Sequence, residues 1–164
     1  MNNYYNIEEI PDQKYFLNER SENMLEEVQP GLAEVVRRAV AISDLEIQVI
    51  HGKRTLDQQD EFFRKGATRG TQSVHMYGYA VDLMPIVEGR PCMEAEVYDE
   101  VAMCMKLAAE DLNTPIRWGG AWHYDNLCLW QGMMEDLQMD YIDGMRRQGK
   151  RPSLDLCHFE LSIS

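Results

Sequence analysis

Two separated histidine motifs constrain this chain more than any other feature. His75 lies in the segment SVHMYGYAVD, which ends at Asp82, and His158 lies in DLCHFEL, which begins at Asp155. A catalytic zinc ion takes three nitrogen or oxygen ligands from the protein and leaves its fourth position to water. Two imidazoles and Asp82 supply that number, and Asp155 remains to accept a proton. A single His and Asp at this spacing is common by chance, so the metal-site prediction rests on both segments together.

These residues carry a family resemblance. The S-x-H-x2-G-x-A-x-D pattern, the WGGAW segment at 118–122 and the closing D-x2-H-F-E-L resemble the zinc D-Ala-D-Ala carboxypeptidase and L-alanyl-D-glutamate endopeptidase family. Within that family, the chain is most similar to bacteriophage endolysins. Residues 52–59 resemble the family's G-x-R-x4-Q segment, so the resemblance covers most of the chain from about Phe16 onward.

The resemblance implies a zinc ion held by His75, Asp82 and His158, with Asp155 as the catalytic base. Spacing alone leaves Glu160 as a second candidate for the base, because alternation in an extended strand puts Glu160 and His158 on one face. With Asp155 as the base, we expect Glu160 to orient one of the metal ligands.

The same resemblance suggests residues that contact substrate. Arg54 follows a predicted strand and precedes a capped helix, so it is a candidate to hold a substrate carboxylate or to stabilise an oxyanion, as the family's matching arginine is thought to do. A plain surface arginine is the alternative. Ser73 and Gln59 are candidates for hydrogen bonds to substrate. Trp118 and Trp122 flank two glycines, and we expect them to line the cleft.

The chain departs from the family pattern in two ways. Endolysins of the family commonly place the W-G-G-x-W segment close before D-x2-H, whereas residues 123–154 intervene here as a predicted helical insertion. The chain is also strongly acidic, yet a basic cluster lies just before Asp155: Arg146, Arg147, Lys150 and Arg151. The cluster is either a solvated helix end that complements the helix dipole or a surface that steers substrate.

Composition favours one soluble domain over residues 1–164, with residues 1–14 as an N-terminal arm. The net charge of −12 argues against nucleic acid as a partner, because phosphate contacts require a basic surface. No apolar run is long enough to span a bilayer, and the N-terminus has no secretory signal. We therefore expect a monomer that is made in the host cytoplasm and acts on the cell wall after release.

The remaining histidines and cysteines carry no pattern. His51 and His123 are predicted to be structural. The four cysteines lack a C-x2-C pair, which argues against a structural zinc knuckle. Cys157 adjoins His158, but neighbours in a strand point to opposite faces, so we expect Cys157 to be buried and structural.

Hydrophobic periodicity predicts an α+β fold, in which helices surround a small antiparallel sheet that carries the metal site. Gly78 is expected to allow a tight turn within the first motif, and Pro85 to keep that strand from continuing as a central one. The predicted strands are 46–50, 79–84, 116–118 and 154–163, and the predicted helices are a short one after Ser21, one from Pro30 to about Ser43, one from a capping box at Thr55 to Gly66, 93–108 and 125–148.

The leading functional hypothesis is a zinc peptidase that cleaves the L-Ala–D-Glu bond of peptidoglycan stem peptides. A D-Ala-D-Ala carboxypeptidase is the alternative within the same chemistry. A non-catalytic, zinc-containing wall-binding module is the alternative from another class, although a binding module has no need of a base such as Asp155.

Overall fold

The computed structural model describes residues 12–53, 55–65 and 74–162. Over these residues the chain forms helices α1 to α5 and strands β1 to β5. The helices are α1 (Glu19–Leu25), α2 (Pro30–Ile42), α3 (Leu56–Arg64), α4 (Ala95–Asp111) and α5 (Met134–Arg147). The strands are β1 (Glu46–His51), β2 (Ala80–Val87), β3 (Arg90–Pro91), β4 (Ile116–Gly119) and β5 (Asp155–Leu161).

The strands form one antiparallel sheet in the order β1-β2-β5-β4, with the short β3 paired to β2. The two central strands are therefore β2, which contains Asp82 at the end of the first histidine motif, and β5, which contains the second motif. Helix α4 contacts β2, β4 and β5, and α2 packs on α4. Burial of apolar residues such as Val36, Val81, Val101 and Phe159 joins these layers into one core. The predicted α+β architecture is confirmed.

Local signals set the helix starts. Thr55 and Gln58 form the predicted capping box: the Thr55 hydroxyl accepts from the Gln58 backbone N–H, and the Gln58 side chain accepts from that of Thr55. Pro30 occupies the first turn of α2, where its missing N–H costs nothing. The predicted stop at Gly66, and most of the proposed N-terminal arm, lie outside the described residues.

The segment that was predicted to be a helical insertion differs from the single helix expected over residues 125–148. Residues Leu127–Leu129 form one 3-10 turn, and α5 begins only at Met134. The Asn126 side chain caps the turn, and the Trp130 indole donates to the Met133 carbonyl, so local hydrogen bonds compete with a continuous helix. The predicted packing side is nevertheless correct, because Met134, Leu137 and Tyr141 are buried and Trp130 packs against the core.

Pro85 does not end its strand, contrary to prediction, because β2 runs through it to Val87. The Pro85 carbonyl accepts from Cys92 N–H on the β3 side. The N–H and C=O of one residue in an antiparallel strand point to the same side, so the N–H that Pro85 lacks would also have faced β3. Strand β5 pairs with β2 only at residues 80–82, so no hydrogen bond from β5 is lost at Pro85.

Gly78 makes the turn that the sequence predicts. Its φ is 73°, and an added Cβ would lie 2.5 Å from the Glu27 carbonyl oxygen. The Gly78 carbonyl accepts from Gln29 N–H at 2.9 Å. This close approach fixes the first histidine motif against the segment that joins α1 to α2.

In the part of the chain that the structure describes, no helix is both long and apolar enough to cross a membrane.

Candidate metal centre

Three buried side chains meet at the middle of the sheet. His75 lies on a 3-10 turn, Val74–Tyr77, that leads into β2, where Asp82 is located. His158 lies on β5 directly opposite Asp82 in the strand register. Their exposed fractions are 2%, 5% and 7% respectively, so all three side chains are shielded from bulk water.

The inward atoms of these residues form a nearly equilateral triangle. His75 Nε2 lies 3.3 Å from His158 Nδ1, and Asp82 Oδ1 lies 3.4 Å from the first and 3.3 Å from the second. Two imidazole nitrogens and a carboxylate oxygen thus face one point. This group could hold one metal ion, and it is the group that the sequence analysis predicted.

Each inward side chain has a contact on its outer side. His75 Nδ1 lies 2.9 Å from the Gly52 carbonyl oxygen, and Asp82 Oδ2 lies 2.9 Å from His51 Nδ1. His158 Nε2 lies 3.8 Å from Glu160 Oε2. His51 was predicted from the sequence to be a structural residue, and that prediction missed its contact with Asp82. Nothing in the spacing of the two residues along the sequence indicates this contact.

The electrostatics of the group favour positive charge. Burial raises the pKa of Asp82, but hydrogen bonds to His158, His51 and His75 outweigh burial and hold the pKa far below its ordinary value. Burial lowers the pKa of His158, yet Asp82 and Glu160 raise it to about 9. The carboxylates of Asp82 and Glu160 therefore stabilise positive charge at this group.

Asp155 lies beside the triangle because β5 is irregular. Trp118 of β4 pairs with Phe159, but the next residue, Gly119, pairs with Asp155. In a regular strand, Asp155 and His158 would point to opposite faces, since they are three residues apart. The irregularity brings Asp155 Oδ2 to 4.0 Å from His158 Nδ1, and the Asp155 side chain stays 52% exposed. An added Cβ on Gly119 would lie 2.0 Å from the Asp155 carbonyl oxygen, so this pairing requires a glycine.

Glu160 has a different environment. It is buried, it lies on the side of the His158 ring away from the triangle, and it is 3.5 Å from an Arg117 guanidinium nitrogen. Arg117 also donates to the Trp122 carbonyl at 2.9 Å. Glu160 therefore contacts the outer nitrogen of His158, whereas Asp155 lies near the inner one.

The structure separates the two tryptophans that were expected to line the cleft. Trp118 is wrongly predicted there: it has no exposed surface and stacks on Phe159 in the core, because β4 turns this side chain inward. Trp122 is half-buried, and its ring centroid lies 5.3 Å from that of His158.

The other candidates for substrate contacts are Arg54, Ser73 and Gln59. Arg54 and Ser73 lie outside the described residues, as does the side chain of Gln59, whose backbone belongs to α3.

Cys157 does not belong to the group of described residues that could hold a metal ion. It is only half-buried, its Sγ lies 3.2 Å from Asp155 Oδ1, and burial raises the pKa of its thiol. His123 pairs with Asp140 at 2.8 Å on the exposed surface. The basic cluster is exposed as well: Arg146 and Arg147 end α5, and Lys150 and Arg151 follow before β5.

Comparisons with known proteins point to one family. The family model for phage L-alanyl-D-glutamate peptidase matches residues 14–146, a span that includes His75 and Asp82 and ends before Asp155 and His158. The L-alanyl-D-glutamate peptidase of Escherichia phage T5 is 28% identical over 107 residues, which are 63% of this chain and 78% of that protein. The crystal structure of the Serratia marcescens L-Ala–D-Glu endopeptidase ChiX is similar with a TM-score of 0.64 and 26% identity, covering 93% of this chain and 92% of the other.

Proposed function

Because the chain belongs to the phage L-alanyl-D-glutamate peptidase family, we propose that it hydrolyses the L-Ala–D-Glu bond of peptidoglycan stem peptides. The observation that carries this proposal is the buried triangle of His75, Asp82 and His158 beside the exposed Asp155. A binding module has no use for a carboxylate at that place, whereas a hydrolase needs a base within reach of its water. The stem peptide is accordingly the proposed substrate, and the cell wall is the proposed site of action.

Zinc is the proposed metal, and the triangle supports it. Ligands about 2.0–2.1 Å from a tetrahedral zinc ion lie about 3.3–3.4 Å from one another. The observed separations are 3.3, 3.3 and 3.4 Å. Calcium and magnesium prefer oxygen ligands, so two imidazoles disfavour them. A bound zinc ion supplies Lewis acidity, which polarises a carbonyl and makes water acidic near neutral pH.

Asp155 is the proposed general base. Its carboxylate accepts a proton from water as the water oxygen attacks the carbonyl carbon of L-Ala. It then returns the proton to the amine nitrogen of D-Glu as the C–N bond breaks. Its exposure supports this role, since an exposed carboxylate can approach a substrate. Glu160 is proposed to orient His158 through the outer ring nitrogen, while Arg117 balances its charge.

The proposed substrate contacts rest on different grounds. Trp122 is supported by its position, because its ring lies next to His158 and is partly exposed. The resemblance of their segments to the family supports the other three residues. Arg54 is proposed to stabilise the developing oxyanion, and Ser73 and Gln59 are proposed to form hydrogen bonds to substrate.

Metal removal tests the proposed chemistry. We expect chelation to abolish cleavage of a synthetic peptide that contains the L-Ala–D-Glu bond, and about one equivalent of zinc to restore it. Elemental analysis measures the zinc content of the protein, and liquid chromatography measures the cleavage products. Full cleavage by protein shown to be free of metal would contradict the proposal.

The basic cluster is proposed to guide anionic cell wall toward the site. Chain connectivity supports this role: only Pro152, Ser153 and Leu154 separate Arg151 from Asp155, so four residue steps hold their Cα atoms within about 14 Å of each other. We expect replacement of the whole cluster by glutamine to slow hydrolysis of intact wall, more at low salt than at high salt, without loss of zinc. Turbidity assays over a salt series measure the effect.

A control variant replaces four exposed cations elsewhere by glutamine, namely Lys14, Arg20, Arg64 and Arg90, and so changes the net charge by the same amount. It separates the position of the cluster from a general change in net charge. If the cluster variant and the control variant respond to salt in the same way, the cluster is only a solvated helix end.

A further inference from the structure

The edge strand β1 contains an irregularity next to the metal centre. Val49 pairs with Leu83 of β2, but the next pair joins His51 to Asp82. In a regular ladder, Ile50 would lie opposite Asp82. The irregularity makes Ile50 an extra residue and moves His51 into its place, as β-bulges near active sites commonly re-aim a side chain.

The bulge aligns His51, Asp82 and His158 on three adjacent strands, since Asp82 also pairs directly with His158. His51 Nδ1 lies 2.9 Å from Asp82 Oδ2, and Asp82 Oδ1 faces the two imidazoles of the triangle. The contact therefore holds one carboxylate oxygen and stops rotation of the group. Only the other oxygen is then presented to a metal.

The same bulge supports a second ligand. Gly52 follows His51 directly, and its carbonyl oxygen lies 2.9 Å from His75 Nδ1. A Cβ on Gly52 would lie 2.3 Å from the Met24 carbonyl oxygen, so a glycine is required where the strand passes α1. Two of the three ligands are thus oriented by two consecutive residues, His51 at the end of β1 and Gly52 directly after it.

We propose that His51 is a positioning residue of the metal centre, which fixes the orientation of the Asp82 carboxylate for zinc. The inference rests on the proposed zinc site and goes beyond it, because it assigns a role to a residue outside the ligand set. Contacts outside the ligand set typically contribute about 10- to 100-fold in metal affinity.

A cavity beside His51 allows the contact to be restored chemically. The cavity has a volume of about 260 Å³, and His51 lines it together with Met24, Ile50, Lys53 and Gln58. The His51 side chain is itself 39% exposed. A His51→Gly variant opens this space toward Asp82, so added imidazole can enter and donate the missing hydrogen bond.

The test measures zinc affinity by competition with a chromogenic chelator. We expect His51→Leu to bind zinc about 10- to 100-fold more weakly than the wild type. His51→Asn should retain most of the affinity, because its amide nitrogen occupies the position of Nδ1 and still donates to Asp82. His51→Gly should be weak alone and recover with imidazole. Recovery of zinc affinity by an added hydrogen-bond donor would show that His51 acts through its bond to Asp82 and not only through packing.

The matched control is His123→Leu, since His123 also pairs with an aspartate, Asp140, at 2.8 Å but away from the triangle. We expect its zinc affinity to equal that of the wild type. The inference would be overturned if His51→Leu bound zinc as tightly as the wild type. It would also be overturned if His51→Leu and His51→Asn lost affinity equally and imidazole restored none in His51→Gly. Absence of zinc binding by the wild type itself would instead overturn the proposed zinc site.

Discussion

Replacement of Asp155 by asparagine is expected to lower turnover about 10²- to 10⁴-fold while zinc remains bound, because a general base contributes about that much. The amide keeps the size of the carboxylate but cannot accept a proton. Asp155 is exposed and supplies none of the three inward ligand atoms, so neither folding nor metal binding should change. Turnover of a stem peptide and zinc content per chain are the two quantities to measure.

Glu160→Gln is the companion variant, because Glu160 is the other carboxylate near His158. It should disturb the orientation of His158 and the balance of charge with Arg117, and keep measurable turnover. If Asp155→Asn stays near wild-type activity while Glu160→Gln is inactive, the base has been assigned to the wrong carboxylate.

His75→Ala and His158→Ala are each expected to lose most of the bound zinc and, with it, the activity. Each substitution removes one of the three proposed metal ligands. Zinc binding should also stabilise the wild type against heat, by about 2.7 kcal/mol when free zinc is 100-fold above its Kd. Calorimetry should show this stabilisation in the wild type and its loss in both variants.

His123→Ala is the control for these two variants, since it removes an imidazole paired with Asp140 outside the triangle. It should keep its zinc and its thermal response to added zinc. Full zinc retention in both His75→Ala and His158→Ala would refute the ligand assignment.

Much of the fold follows from local signals in the sequence. The capping box at Thr55, the proline that begins α2 and the alternation in β1 are each encoded within a few residues, and each element forms where it was predicted. The 125–148 prediction was less accurate. The apolar spacing there fits a helix, and the helix forms from Met134 onward; before it, the Asn126 side chain caps a 3-10 turn and the Trp130 indole donates to the Met133 carbonyl.

The group of His75, Asp82 and His158, which could hold a metal ion, was predictable from its residue types and their spacing. The surroundings of the group were not, because they depend on departures from regular strand pairing. One irregularity, in β1, places His51 on Asp82, and another, in β5, brings Asp155 near His158. Simple alternation would have put Ile50 opposite Asp82 and Asp155 on the other face of β5. Neither irregularity has a local sequence signal.

The burial of Trp118 also lay beyond the sequence analysis. Tryptophans beside glycines suit either a cleft wall or a core, and only the packing of β4 against β5 distinguishes the two. The same strand pair leaves Trp122 beside His158. The WGGAW segment therefore lies in the core at one end and beside His158 at the other.

The most direct measurement is digestion of purified peptidoglycan by the zinc-loaded protein, with the new termini identified by mass spectrometry. The predicted result is new amino-terminal D-Glu, which appears with the wild type and not with Asp155→Asn. Release of free D-Ala would instead indicate a carboxypeptidase. No new terminus of either kind would contradict the account of this chain as a peptidoglycan peptidase.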